Sequence, residues 1–156
     1  MQIFDAHLDM AWNATDWNRD LNKPIAEIRA FENQFQLPGI VDGDATVSWP
    51  ELLRGGVCTI IATLLARLNR REAPRSYYQS LEAAYGVAHG QLAYYKALVA
   101  GGKLRHICDA KTLEAHTAQW QQSDTSTAPL GFILSMEGSW PILSPGQIQE
   151  LSLIHI

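Results

Sequence analysis

Cysteine is scarce. The 156-residue chain has 2, Cys58 and Cys108, and they form no C-x-x-C pair or other metal-type spacing. That excludes a cysteine-built metal cluster. Each lies in a short apolar run, where a reduced and buried thiol is expected. Excess positive charge is lacking too. The formal net charge is -4, which argues against an electrostatic grip on nucleic acid. No apolar run approaches the ~18 residues of a transmembrane helix. The start, Met1-Gln2-Ile3-Phe4-Asp5, lacks the basic flank and apolar stretch of a signal peptide. The expectation is a soluble, cytoplasmic protein with neither nucleic acid nor membrane as a partner. Internal repeats and low-complexity tracts are also absent.

What remains is a chain able to fold as one domain with a real core, with 47% hydrophobic residues. Gln2 to His7 reads as a short strand. A helix starting near Pro24 fits within Leu21 to Phe35, because proline suits a first helical turn. Pro38-Gly39 and Asp42-Gly43 mark turns. Ser48-Trp49-Pro50-Glu51 has the form of a capping box and opens a helix from Trp49 to Arg54, which Gly55-Gly56 stops. Val57 to Leu65 is nearly all apolar or β-branched, as in a parallel strand buried on both faces.

Arg75 to Ala100 is the longest helical pattern. Tyr78, Leu81, Tyr85, Ala88, Leu92, Tyr95 and Val99 form its apolar stripe. Leu104 to Cys108 reads as a strand, and Asp109 as the N-cap of a helix over Ala110 to Gln122. Gln121 to Pro129 reads as a polar surface loop and Leu130 to Met136 as another apolar strand. Ser144-Pro145-Gly146-Gln147 has the form of a second capping box. Strands alternate with helices, which implies an α/β fold with a parallel sheet.

Three residues carry candidate chemistry. His7 and Asp9 stand two apart at the end of the first strand, and in extended backbone such residues point the same way. An imidazole beside a carboxylate suits a divalent metal such as zinc. Glu137 ends the strand from Leu130, and a carboxylate there must be paired, metal-bound or exposed at the rim. In a parallel sheet both strand ends face one rim, where α/β sites assemble. The residues alone leave three readings open: a metallopeptidase, another metal-dependent hydrolase such as a phosphoesterase or deaminase, and a non-catalytic α/β domain whose charges cap strand ends.

The run Phe4-Asp5-Ala6-His7-Leu8-Asp9-Met10-Ala11-Trp12-Asn13 resembles the opening metal motif of the membrane (renal) dipeptidase family, zinc peptidases of the amidohydrolase superfamily. Leu134-Ser135-Met136-Glu137-Gly138 resembles that family's bridging-glutamate strand, and Leu52-Leu53-Arg54-Gly55-Gly56-Val57 its approach to the second strand. The resemblance implies the N-terminal part, about four β/α units, of a TIM (β/α)8 barrel. It makes His7 and Asp9 ligands of one zinc. It makes Glu137 a catalytic residue that bridges to a second zinc. A hydroxide between the two ions would attack the scissile carbonyl of a dipeptide. Asp5 receives no ligand role and is expected to support the ligands from behind. A homodimer is a possible full-length form.

A barrel needs roughly 200 residues or more, so residues 1–150 are expected to form a partial dipeptidase barrel, inactive by itself. Residues 151–156 read as a non-native or truncated tail, and His155 within them takes no role. His89 and His106 read as structural, and His116 as solvated. Arg67, Arg70 and Arg71 follow the Val57 to Leu65 strand at the rim. They read as a solvated loop, with contact to a substrate carboxylate as the other reading. The H-x-D spacing itself differs from the H-x-H pattern of many superfamily relatives.

Overall fold

The computed structural model describes residues 2–34, 44–68, 78–122, 124 and 128–150. The turns at Pro38-Gly39 and Asp42-Gly43, the arginines Arg70 and Arg71, and residues 151–156 with His155 lie outside the described residues. The elements are β1 (Ile3–Leu8), α1 (Met10–Thr15), α2 (Ile25–Glu32), α3 (Trp49–Arg54), β2 (Val57–Leu65), α4 (Leu81–Ala100), β3 (Leu104–His106), α5 (Ala110–Gln122), β4 (Leu130–Glu137) and α6 (Gln147–Glu150). Among the described residues no helix is long and apolar enough to cross a membrane.

The four strands form one sheet in the order β1-β2-β4-β3, and every pairing is parallel. The two most apolar strands take the centre, as two-sided burial requires. β2 and β4 pair continuously from Thr59↔Gly131 to Leu65↔Glu137. Ile60, Ala62 and Leu64 of β2 and Leu130, Phe132 and Leu134 of β4 are buried. Chain order would place β3 between β2 and β4. It lies instead on the outer side of β4 and pairs only with Leu130, Gly131 and Phe132. Three strands therefore follow one another in chain order, and β3 is a short flank beside the first part of β4. It stops at His106, before Cys108, and Cys108 is exposed. Its thiol lies 3.4 Å from His106 Nδ1. Cys58 alone meets the expectation of a buried thiol.

The helix α4 starts at Leu81, later than its apolar stripe suggests. Ser80 is its N-cap, and the hydroxyl accepts the Ala83 N–H at 3.1 Å. Tyr78 is not helical; it bridges to Leu68. The buried face holds Ala84, Ala88, Gln91, Leu92 and Tyr95, whereas Leu81 and Val99 at the helix ends are exposed. Gln91 is the residue that a hydrophobic pattern misses. Its amide donates to the Leu65 carbonyl at 2.8 Å and accepts the Leu65 N–H at 2.7 Å. A side chain thus completes β2 beyond its last partner on β1, Leu8↔Ala62.

The box at Ser48 does not form: the serine hydroxyl is buried without a hydrogen-bond partner. Glu51 is drawn elsewhere, to the Ile25 N–H and to Arg54. The second motif forms its reciprocal half. Gln147 Oε1 accepts from the backbone of Ser144 at 3.0 Å and of Leu143 at 2.7 Å. Asp109 caps α5 as expected, taking the Thr112 N–H at 2.7 Å. That bond holds its carboxyl below the usual range.

Candidate metal centre

The end of β1 is not regular. Its register against β2 shifts between Asp5 and Leu8. Asp5 Oδ1 accepts the His7 N–H at 3.0 Å, so Asp5 shapes the turn of chain that aims His7. Asp9 lies just past the strand as the N-cap residue of α1. Strand alternation alone therefore does not bring His7 and Asp9 together. The irregular strand end and the start of a helix do so jointly.

The three expected residues meet. His7 Nε2 lies 3.4 Å from Asp9 Oδ1 and 3.5 Å from Glu137 Oε2. One ligand atom from each of the three falls within 4.8 Å of the others. Tetrahedral coordination with bonds of ~2.1 Å separates ligand atoms by about 3.4 Å, close to the two separations from His7 Nε2, while all three pairs lie within 4.8 Å. One nitrogen and two carboxylate donors form a set that zinc accepts, with a fourth position left for water or substrate. The site is open: the His7 side chain is 57% exposed.

Several residues hold the donors. Thr63 of β2 donates its hydroxyl to Asp9 Oδ1 and also reaches the Leu8 carbonyl at 3.3 Å. Arg67 donates to Glu137 Oε1. The Tyr95 hydroxyl accepts the Ala11 N–H at 3.1 Å and donates to the Thr63 carbonyl at 3.0 Å. It ties α1, β2 and α4 together directly behind Asp9. Burial pushes the Tyr95 phenol up, so it keeps the proton that it donates. Asn13 bonds the Asp9 carbonyl at 2.9 Å. Arg19 reaches Asn13 Oδ1 at 2.6 Å and pairs with Glu32 at 2.5 Å in a nearly buried pair.

Gly138 follows Glu137 with φ 78, and a Cβ there would lie 1.9 Å from the Trp140 ring. Only glycine permits both the left-handed turn and that close ring. Sequence reasoning missed the supports Thr63, Tyr95 and Asn13. Thr63 leaves a trace, as a polar residue two places before the end of an apolar strand. Tyr95 gives none, because its hydroxyl lies on a stripe that reads as core. Arg67 lies in the loop after β2 with its side chain 42% exposed, and it is also ion-paired to Glu137.

Among the described residues the other histidines do not join this cluster. His89 Nδ1 lies 3.0 Å from the Tyr85 carbonyl of its own helix. His106 stacks on Phe132 at 4.8 Å. His116 is buried at 2% exposure, not solvated. Its Nε2 bonds the Cys58 carbonyl at 2.8 Å, and its Nδ1 has no partner.

No family model and no curated protein matches the sequence. Among solved structures, the chain is similar to the dipeptidase AC, a metallo peptidase, with TM-score 0.57 and 20% identity over 98% of this chain. The chain spans 41% of the length of that protein. The likeness at this identity is one of fold, and it falls on the same family that the His7, Asp9 and Glu137 motifs resemble.

Proposed function

We propose that the chain carries part of the active site of a metal-dependent dipeptidase, built on the N-terminal strands of a (β/α)8 barrel. The observation that supports this most is the meeting of His7, Asp9 and Glu137, with one ligand atom of each within 4.8 Å of the others, at the C-terminal ends of parallel strands. The shared fold with a protein described as a dipeptidase and metallo peptidase supports the substrate class. Zinc is the metal that this donor set suits, with His7, Asp9 and Glu137 as its ligands. When bound, such an ion polarises a carbonyl and lowers the pKa of water. The protein fixes the donors beforehand: Thr63 orients Asp9, Asp5 shapes the backbone at His7, and Arg67 holds Glu137. Preset donors lose little freedom when an ion arrives. Among the described residues one such cluster is present, and little or no turnover is expected from these 156 residues alone.

Calorimetric titration with zinc tests the reading. The chain should bind zinc, and His7→Ala and Glu137→Ala should each lose it. Equal binding by all three proteins would sink the proposal. A panel of dipeptides and phosphate esters on the zinc-loaded protein decides substrate class. Cleavage of phosphate esters alone would favour a phosphoesterase instead.

A further inference from the structure

We infer that Trp140 is a positioning residue of this centre: its ring, seated on a bed of alanines, fixes the turn that aims Glu137. The inference rests on the metal-site reading above. Gly138 carries the chain out of β4 with φ 78, directly after Glu137. The three atoms nearest a Cβ built on Gly138 are all carbons of the Trp140 ring, Cζ3, Cε3 and Cη2. The ring therefore lies against the backbone of Gly138 itself. The turn closes just beyond it, where the Ile142 N–H donates to the Ser139 carbonyl at 3.0 Å.

The ring has a prepared seat. It packs, with Tyr78 and Val87, against the cluster of Ala66, Ala84 and Ala88, each of them 0% exposed. Ala84 and Ala88 stand one turn apart on α4, and Ala66 follows the last residue of β2. A larger side chain at any of the three would compete with the ring for space. Leu65, next to Ala66, is the register partner of Glu137. Gln91 of α4 bonds both backbone groups of Leu65. Helix α4 thus meets the end of β2 through the Gln91 amide, and the turn after β4 through the Trp140 ring.

Glu137 needs such support. Its side chain is 31% exposed, and several rotatable bonds separate its Cα from the carboxylate. Pairing with β2 fixes the backbone before it, and the Gly138 turn fixes the backbone after it. Together these set the direction in which its Cβ leaves the chain. A site keeps its affinity when its donors are held within ~0.5 Å of the working geometry. Glycine adopts many conformations when nothing holds it. Without the ring, the turn and the donor before it would spread over several of them. The indole offers no donor atom here; it acts through the backbone of Glu137.

Competition with a chromophoric zinc chelator tests this on the full chain, with urea melts run beside it. The proteins are wild type, Trp140→Ala, Trp140→Leu, Trp140→Phe and His7→Ala. Trp140→Ala should bind zinc about tenfold more weakly, the scale of a lost outer support. Trp140→Leu keeps an apolar group over the alanines but no flat ring against Gly138. It should weaken zinc to a similar degree, and it decides the matter if Trp140→Ala does not fold. Trp140→Phe restores a ring and should return affinity close to wild type. A ring that serves packing alone would lower the urea midpoint and leave the zinc affinity of the folded protein unchanged. Wild-type affinity in Trp140→Leu would therefore overturn the inference. So would equal weakening in Trp140→Phe and Trp140→Leu. His7→Ala separates the two levels. If it loses zinc while the Trp140 variants keep it, the role of Trp140 fails and the metal site stands. If it binds zinc as wild type does, the metal reading fails and the inference falls with it.

Discussion

Two histidines lie at opposite ends of the same sheet. His7 stands at the C-terminal rim, mostly exposed, beside two carboxylates. His116 lies on α5 near the start of β4, buried against Gly131 and bonded to the Cys58 carbonyl. A Cβ on Gly131 would fall 2.6 Å from its ring. One imidazole has anionic neighbours and room for a ligand. The other has close packing and an unpaired nitrogen. Residue type is thus a poor guide to role, and surroundings are a good one: a ligand needs other donors converging on the same point, whereas a packed group needs only its neighbours.

The contrast can be broken experimentally. The largest effects should come from removing each ring. His7→Ala should weaken zinc binding by about a hundredfold or more, beyond the usual cost of losing an outer-shell support. It should move the urea midpoint little, as a surface change does. His116→Ala should do the reverse, with zinc affinity kept and stability lowered by about 2–3 kcal/mol. Paired titrations and urea melts check both, and a shared effect in both assays would erase the distinction.

Gly131→Ala should come next. The added methyl meets a ring that cannot swing away without losing its bond to Cys58. A loss of about 1–3 kcal/mol is expected, read as a lower melting temperature with unchanged zinc binding. Thr63→Val keeps the side-chain shape but removes the hydroxyl from Asp9. Zinc affinity should fall by about tenfold, measured by chelator competition.

The smallest effect is one of pH. Burial holds the His116 imidazole below its ordinary value of 6.5. Between that value and the folded one, the unfolded chain binds more protons, so stability rises with pH. It is fully present above 6.5 and is lost as acid brings the pH down through that window. Urea melts at pH 5 and 7.5 should show the loss, and His116→Gln should show less of it. An identical acid loss in the variant would assign the effect to other groups.

The sequence displayed the three candidate ligands better than their supports. His7, Asp9 and Glu137 were legible because a charge at the end of an apolar strand has few structural excuses. Continuous apolar runs located β2 and β4, because two-sided burial leaves such strands no polar face. The supports were hidden because each has an ordinary local reading. Tyr95 sits on a hydrophobic stripe, and its hydroxyl bond to Thr63 spans two elements. Gln91 looks like a surface residue until its amide is seen to complete a strand. Helix α1 has no side-chain cap and only 6 residues, so no periodicity could announce it. His116 read as solvated because its neighbours along the helix are polar. The register of α5 on the sheet, which no local pattern encodes, buries it.

The flanking position of β3 carries a consequence for how the molecule reaches this form. The longest strand pairing joins β2 to β4, partners from opposite halves of the chain, while α4, β3 and α5 all lie between them in sequence. Closing so long a loop is entropically slow. The three intervening elements must be swept aside before the central pair can register. Collapse of this chain should therefore be limited by one late zippering event at its centre, with His7, Asp9 and Glu137 brought together only after it.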